Sequence, residues 1–272
     1  MSFVLMQAAM WPLAGLLGLF MGSYLNVIAW RWFRDEQQSP QQWGSRSKCP
    51  VCAKTLSWIE LIPVVSYLMQ RGRCAQCAAP LSARYPIAEL LTATVFASIV
   101  AVYGFHPISA VLLVLASVLL VLALIDGETQ LIPDQLSLLA LIGTAVGLVV
   151  LRVPNLLHQP LLLGIPRFEH GVVGALIGAG ILGLIVLVTQ GKGMGIGDIK
   201  LGGVLGLSLG GPATLLALFI SFVSGALVGL VLIKGRKASL KTAVPFGPFL
   251  VFGWFVAILW SGPIIAWYTG LN

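Results

Sequence analysis

The sequence predicts an all-α, polytopic membrane protein of about eight transmembrane helices, with one small soluble domain between the first helix and the second. Three observations predict it. Of 272 residues, 58% are hydrophobic and only 9% charged, and the mean hydropathy is +0.98. A soluble domain carries roughly a quarter of its residues as Asp, Glu, Lys and Arg, so this chain has too little polar surface to face water on all sides. Apolar stretches approaching the roughly twenty residues that a spanning helix needs recur eight times. Finally, a single long polar interval, 31–85, holds eight of the sixteen Lys and Arg residues.

The first apolar stretch, Ala8 to Trp30, has no Lys or Arg before it and meets Arg31 and Arg34 after it. That is the reverse of a secretory signal peptide, so it reads as an anchor with its N-terminus outside. The next stretches are Pro86 to Tyr103, Pro107 to Asp126, Asp134 to Leu151 and Gly171 to Thr189. Asp198 to Gly210, Pro212 to Ile233 and Phe246 to Tyr268 complete the set. The sixth is short and glycine-rich, which leaves a re-entrant segment as its alternative. If it crosses, fourteen basic residues face the cytoplasm, and only Arg152 and Arg167 lie outside. That asymmetry is the positive-inside bias of a membrane topology. The +7 net charge therefore follows topology instead of forming one basic face, and nucleic acid is set aside as a partner. His106, His158 and His170 fall on the outer side and read as solvated loop residues, and the Pro-rich loop from Val153 to His170 as lying at the outer interface. The domain expectation is 1–30 as first helix, 31–85 as cytoplasmic domain and 86–272 as a seven-helix membrane domain.

All four cysteines lie in the soluble interval, as Cys49-Pro50-Val51-Cys52 and Cys74-Ala75-Gln76-Cys77. Two C-x2-C turns supply the four-sulfur tetrahedral shell that structural Zn²⁺ prefers. A reducing cytosol disfavours disulfides, and a 55-residue interval is short for a self-sufficient core. A zinc-stapled domain is expected, with redox thiols or unbridged cysteines as the alternative. A complete sulfur shell leaves no position for water, so the metal would shape the domain and hydrolyse nothing.

Ionisable groups in or at the end of a span are costly and are functional candidates by default. Asp35, Glu36, Glu60, Glu128 and Glu169 fall in wet segments, which leaves Glu89, Asp126, Asp134 and Asp198. Asp126 ends the third span, and Asp198 opens the sixth after Gly193-Met194-Gly195-Ile196-Gly197, so both sit at the cytoplasmic boundary. Two carboxyls held close share a proton and form an acid/base pair able to activate water. Helix polarity suggests Asp198 as general base and Asp126 as general acid. Asp134, after Pro133, reads as an N-cap. The glycines before Asp198 would leave room for an extended peptide.

In this order and spacing, several segments together resemble the bacterial type IV prepilin leader peptidases, GxGD-type membrane aspartic proteases. They are Gly22-Ser23-Tyr24-Leu25-Asn26-Val27-Ile28, Cys49 to Cys77, Arg84-Tyr85-Pro86-Ile87-Ala88-Glu89-Leu90-Leu91, Ile125-Asp126 with Leu131-Ile132-Pro133-Asp134, Gly193 to Lys200, and Pro245-Phe246-Gly247-Pro248-Phe249. The resemblance implies Asp126 and Asp198 as the catalytic pair. It implies cleavage of the basic leader of a prepilin or type II secretion pseudopilin on the cytoplasmic side of the inner membrane. Many members then methylate the new N-terminal amine using S-adenosylmethionine, an activity carried by the loop region. Glu60, Arg84 and Glu89 are the candidates for holding that cofactor or the amine, with ordinary salt bridging as their alternative. Trp32-Phe33 and Ile132 depart from the family's usual residues. The alternatives from the residues themselves are a peptidase with a purely structural zinc loop, an ion-coupled transporter, or a pilus-assembly scaffold. Carboxylates gathered at one boundary argue against the transporter, which would bury them near mid-bilayer.

Overall fold

The computed structural model describes residues 2–35, 46–49, 51–150, 168–235 and 244–270, with side chains described from residue 10 to 32 in the first helix. Its described residues are helical or irregular, with only two isolated antiparallel bridges, Lys48 with Thr55 and Arg73 with Pro80. All eight apolar stretches contain helices. The loop expected at the outer face, with Arg152, His158 and Arg167, and the basic residues Arg236, Lys237 and Lys241, lie outside the described residues.

The chain divides into two compact units, residues 1–109 and 110–272. The first holds α1 (Ser2–Asp35), a 3₁₀ turn at Ile59–Leu61, the short α2 (Val65–Met69) and α3 (Arg84–Tyr103). Helix α1 lies against α3 at backbone distance. A Cβ added at Gly18 would sit 2.7 Å from the Ala93 Cα, and one at Gly22 would sit 2.7 Å from the Glu89 Cα. Helices in lipid gain little from hydrophobicity alone and approach through small residues. Gly22 thereby brings Ser23 and Asn26 beside Tyr85 and Glu89.

The second unit contains α4 (Pro107–Thr129), whose first turn belongs to the first unit, and α5 (Asp134–Val150). It also contains α6 (Phe168–Thr189), α7 (Ile196–Leu209), α8 (Gly211–Lys234) and α9 (Gly247–Thr269). Among the described residues, six helices are long and apolar enough to cross a membrane: α1 (over Met10–Trp32), α3, α4, α6, α8 and α9. Helix α5, at 17 residues, is shorter, and α7, at 14, rises only about 21 Å against a hydrocarbon core of about 30 Å. Helix α7 is enclosed by its neighbours: Leu201, Val204 and Leu205 are buried. Gly174 of α6 and Gly206 of α7 meet so closely that a Cβ on either would lie 2.1–2.2 Å from the other's carbonyl oxygen. The turn into α8 is the single residue Gly210, at φ 77°, a backbone conformation that a side chain would strain. On the far side, the buried Trp254 of α9 donates its indole N–H to Ser208 Oγ of α7 at 2.9 Å, which satisfies a polar group that the apolar interior could not solvate.

Candidate functional site

Asp126 lies in the last turn of α4, which continues to Thr129. Its side chain is buried, and Oδ2 accepts the backbone N–H of Gly247, the first residue of α9, at 2.8 Å. Pro248 follows, a residue suited to the first turn of a helix because its missing N–H would be unpaired there. The α9 terminus is therefore aimed at Asp126. Position 247 has no room for a side chain, since a Cβ there would stand 2.7 Å from Asp126 Oδ2.

Asp198 is the third residue of α7 and is also buried. Its Oδ2 accepts the N–H of Gly195 at 3.1 Å, while its own N–H donates to the Gly195 carbonyl at 3.2 Å. This is the reaching-back half of a capping box. The other oxygen, Oδ1, is buried with no hydrogen-bond partner. The Asp126 charge acts on Asp198, so the two carboxylates lie within electrostatic reach. Each receives an amide donor from a helix N-terminus, so helix polarity by itself no longer separates their roles.

The glycines before Asp198 serve different ends. A Cβ at Gly197 would lie 2.8 Å from the Ile132 Cβ, so this glycine makes room for the protein's own linker between α4 and α5. At Gly195 a Cβ would find only ordinary contacts, 3.7 Å from Asp198 Oδ2. The protein's own packing does not demand glycine there. Asp134, expected as an N-cap, instead directs its exposed carboxylate to Lys200 of α7. The nearby cation outcompetes the free amides, and the N–H of Ser137 is taken by the Pro133 carbonyl.

In the first unit, the sulfur atoms of Cys49, Cys52, Cys74 and Cys77 all lie within 4.8 Å of one another. Cys49 and Cys77 are 3.9 Å apart, and Cys52 and Cys74 4.0 Å. Four sulfurs at tetrahedral vertices 2.3 Å from a zinc ion would be separated by about 3.8 Å, so the cluster fits that ion. The two halves repeat one backbone device. Cys49 N–H donates to Lys54 O and Ala53 N–H to Cys49 O, and Cys74 N–H donates to Ala79 O and Ala78 N–H to Cys74 O. Ala53 and Ala78 take positive φ values of 55° and 54° to close these turns. The amides of Cys52 and Val51 lower the Cys49 thiol, and those of Cys77 and Gln76 lower Cys74 to about 6. The Ala79 amide lowers Cys77, but burial and the neighbouring sulfurs outweigh it and push that thiol up to about 11.

The three candidates for the cofactor or amine part company. Glu60 is occupied internally: Oε1 pairs with Lys54 Nζ at 2.9 Å, and Oε2 accepts the Ser57 N–H and hydroxyl at 2.8 and 2.9 Å. The Ser57 amide first, then Lys54, hold its carboxyl down to about 2. Arg84 is half-buried at the start of α3. Glu89 is buried, and its Oε2 accepts the Val64 N–H at 2.7 Å. Sequence reasoning missed Gly247 as a partner of Asp126. Gly-Pro marks a helix start, but nothing along the chain says which acid that helix meets 121 positions away.

Residues 16–103 match the model of the bacterial peptidase A24 N-terminal domain, and residues 113–230 that of the type IV leader peptidase family. A Pseudomonas putida protein named prepilin leader peptidase/N-methyltransferase is 35% identical over 97% of this chain and 96% of its own. Proteins of the same name from Aeromonas hydrophila (36% identical; 93% and 91% covered) and Bacillus subtilis (34%; 82% and 85%) are likewise similar. No solved structure matches.

Proposed function

The chain belongs to the type IV leader peptidase family, and from that membership we propose that it removes the leader of prepilins or pseudopilins with Asp126 and Asp198 and then methylates the new N-terminus. The observation that carries the peptidase is the pair itself. Two buried carboxylates lie in one unit and in electrostatic reach, each fixed by one backbone amide, and Asp198 Oδ1 has no partner. That oxygen takes a proton from water as the water adds to the scissile carbonyl, while Asp126 gives its proton to the carbonyl oxygen. As the C–N bond breaks, Asp198 passes the proton it took to the departing amine and Asp126 takes one back from a hydroxyl of the tetrahedral intermediate, so the pair returns to its starting state. The protons move within a pair that titrates jointly.

The peptidase work falls to residues 86–272, and residues 31–85 form a zinc-stapled domain associated with methyl transfer. The N-terminus lies outside, and the loop and both aspartates face the cytoplasm of the inner membrane. The charge asymmetry supports this: with all eight apolar helices crossing, fourteen of the sixteen Lys and Arg residues would fall on that side. Cys49, Cys52, Cys74 and Cys77 would hold the zinc, which cross-links the two knuckles when bound. S-adenosylmethionine, when bound, supplies the methyl group, and the chain's task is to hold the amine in place.

Leader removal from a prepilin in isolated membranes tests the pair. Asp126→Asn and Asp198→Asn each abolish it, whereas Asp134→Asn, which removes one exposed ion pair, leaves measurable cleavage. Wild-type rates in either of the first two variants would end the two-carboxylate mechanism.

A further inference from the structure

At the loop end of α1 and α3 lies a cluster that the peptidase mechanism does not use. Glu89 is 6% exposed, and the groups acting on its carboxylate are the Val64 N–H and the Ser23 hydroxyl, both uncharged. An ionisable acid in so apolar a setting ordinarily has a cationic partner. Asn26, 2% exposed, gives its amide N–H groups to the carbonyls of Gly22 and Tyr85, and its Oδ1 has no partner. Buried acceptors without donors are rare in folded proteins. The loop that touches this cluster does so through Val64, a β-branched residue at φ 60° and ψ −50°, a region such residues avoid unless their surroundings impose it. The cluster thus offers a carboxylate and an amide oxygen, holds no cation among its described neighbours, and is touched by a strained loop residue. What it lacks is a positively charged N–H donor.

We propose that Ser23, Asn26 and Glu89 form a receptor for a primary ammonium group. The assignment rests on the methyl-transfer reading for its purpose but not for its chemistry. A primary ammonium carries both the charge that Glu89 lacks and spare N–H groups for Asn26 Oδ1. Two molecules of that reaction present one: the freshly exposed N-terminus of the cleaved pilin, and the amino-acid end of S-adenosylmethionine. Either would be held beside the zinc-knuckle loop.

The test is calorimetric binding to the purified full-length protein with three probes: S-adenosylmethionine, a peptide of the mature pilin N-terminus with a free amine, and the same peptide N-acetylated. Glu89→Gln removes the charge while keeping an oxygen for the Val64 N–H. Asn26→Leu removes the unpartnered acceptor at nearly constant volume, so it remains informative if Glu89→Gln fails to fold. Zinc content and melting temperature report folding in both. The expected result is that one ammonium-bearing probe binds the wild type and loses tenfold or more in affinity in each variant that folds; where that probe is the peptide, its acetylated twin binds the wild type at least tenfold more weakly. Loss confined to the peptide assigns the site to the pilin amine, and loss confined to S-adenosylmethionine assigns it to the cofactor. Affinities indifferent to both variants, or no binding of either ammonium probe by the wild type, overturn the receptor. If the wild type methylates pilin while binding ignores both variants, the receptor fails and methylation stands. If affinities fall as expected but no methyl transfer occurs, the reverse holds.

Discussion

The contact between Gly247 and Asp126 makes the sharpest demand on the proposed peptidase site. In Gly247→Ala the new methyl would begin 2.7 Å from Asp126 Oδ2 and 3.1 Å from its carboxyl carbon. Relief to an ordinary carbon–oxygen separation requires a shift of about 0.7 Å. Either the carboxylate withdraws, stretching a 2.8 Å hydrogen bond to the edge of usefulness, or the start of α9 recoils and takes the donor with it. A displacement of about 1 Å at a reacting group can lower a rate about a hundredfold, so kcat for leader removal should fall by roughly 30- to 100-fold. KM should change less than kcat, because the displacement falls on the carboxylate assigned to the chemical step. The assay is steady-state cleavage of a prepilin in detergent or membranes, normalised to enzyme measured by immunoblot. A melting temperature within a few degrees of wild type separates lost alignment from lost protein. If Gly247→Ala cleaves within twofold of wild type at equal abundance, Asp126 is not held by α9 in the working enzyme, and the alignment argument fails.

Cys49→Ser should remove bound zinc on elemental analysis and make residues 46–85 sensitive to protease, as should chelation of the wild type, while leader cleavage in the other unit is reduced less than the stability of the loop. Ala53→Gly and Ala78→Gly should each stabilise the knuckles by about 0.5–1 kcal/mol. They relieve a left-handed residue that costs about 1–2 kcal/mol, offset by glycine's entropy loss of about 0.5–1 kcal/mol, and protection from proteolysis with zinc retained reads the gain. Glu60, held down to about 2 by Ser57 and Lys54, contributes stability that is complete above its unfolded value near 4.5 and fades as pH falls through 2. The stability difference between wild type and Glu60→Gln should therefore be constant from pH 7 to about 5 and shrink below that. A difference that grew on acidification would mean that the carboxyl is not bonded as described.

The helices were legible because lipid leaves little freedom: every backbone polar group must be paired within the segment, so an apolar run of the right length has one structure available. The cysteines were legible for a similar reason, since four thiols at C-x2-C spacing have few ways to meet. Asp126 and Asp198 stood out through the energy their burial demands. What stayed hidden was every partner chosen across the fold. Asp134 next to a proline has the look of a cap until Lys200 on another helix competes for it. The glycines of residues 193–197 look alike in the sequence, yet Gly197 yields to Ile132 and Gly195 to nothing in the protein. Asn26 looks like a neutral residue in the middle of a span, and only the position of α3 shows that half of its amide is unanswered.

Burial decides which partner an acid receives. The carboxylates outside the membrane interior, Glu60 and Asp134, pair with Lys54 and Lys200. The three buried ones do not: Glu89, Asp126 and Asp198 accept backbone N–H groups from Val64, Gly247 and Gly195. A lysine beside a buried carboxylate would offset its desolvation but would also fix it as an anion already satisfied, unable to exchange a proton with water or attract a cation. An amide donor holds the group in place, contributes no net charge, and occupies one oxygen while leaving the other available. Its drawback is that a backbone donor must be brought to the acid by the chain itself, and at Gly247 the resulting approach leaves no space for a side chain. The same logic explains why substitution at the donors, none of them chemically reactive, should damage function as surely as substitution at the acids.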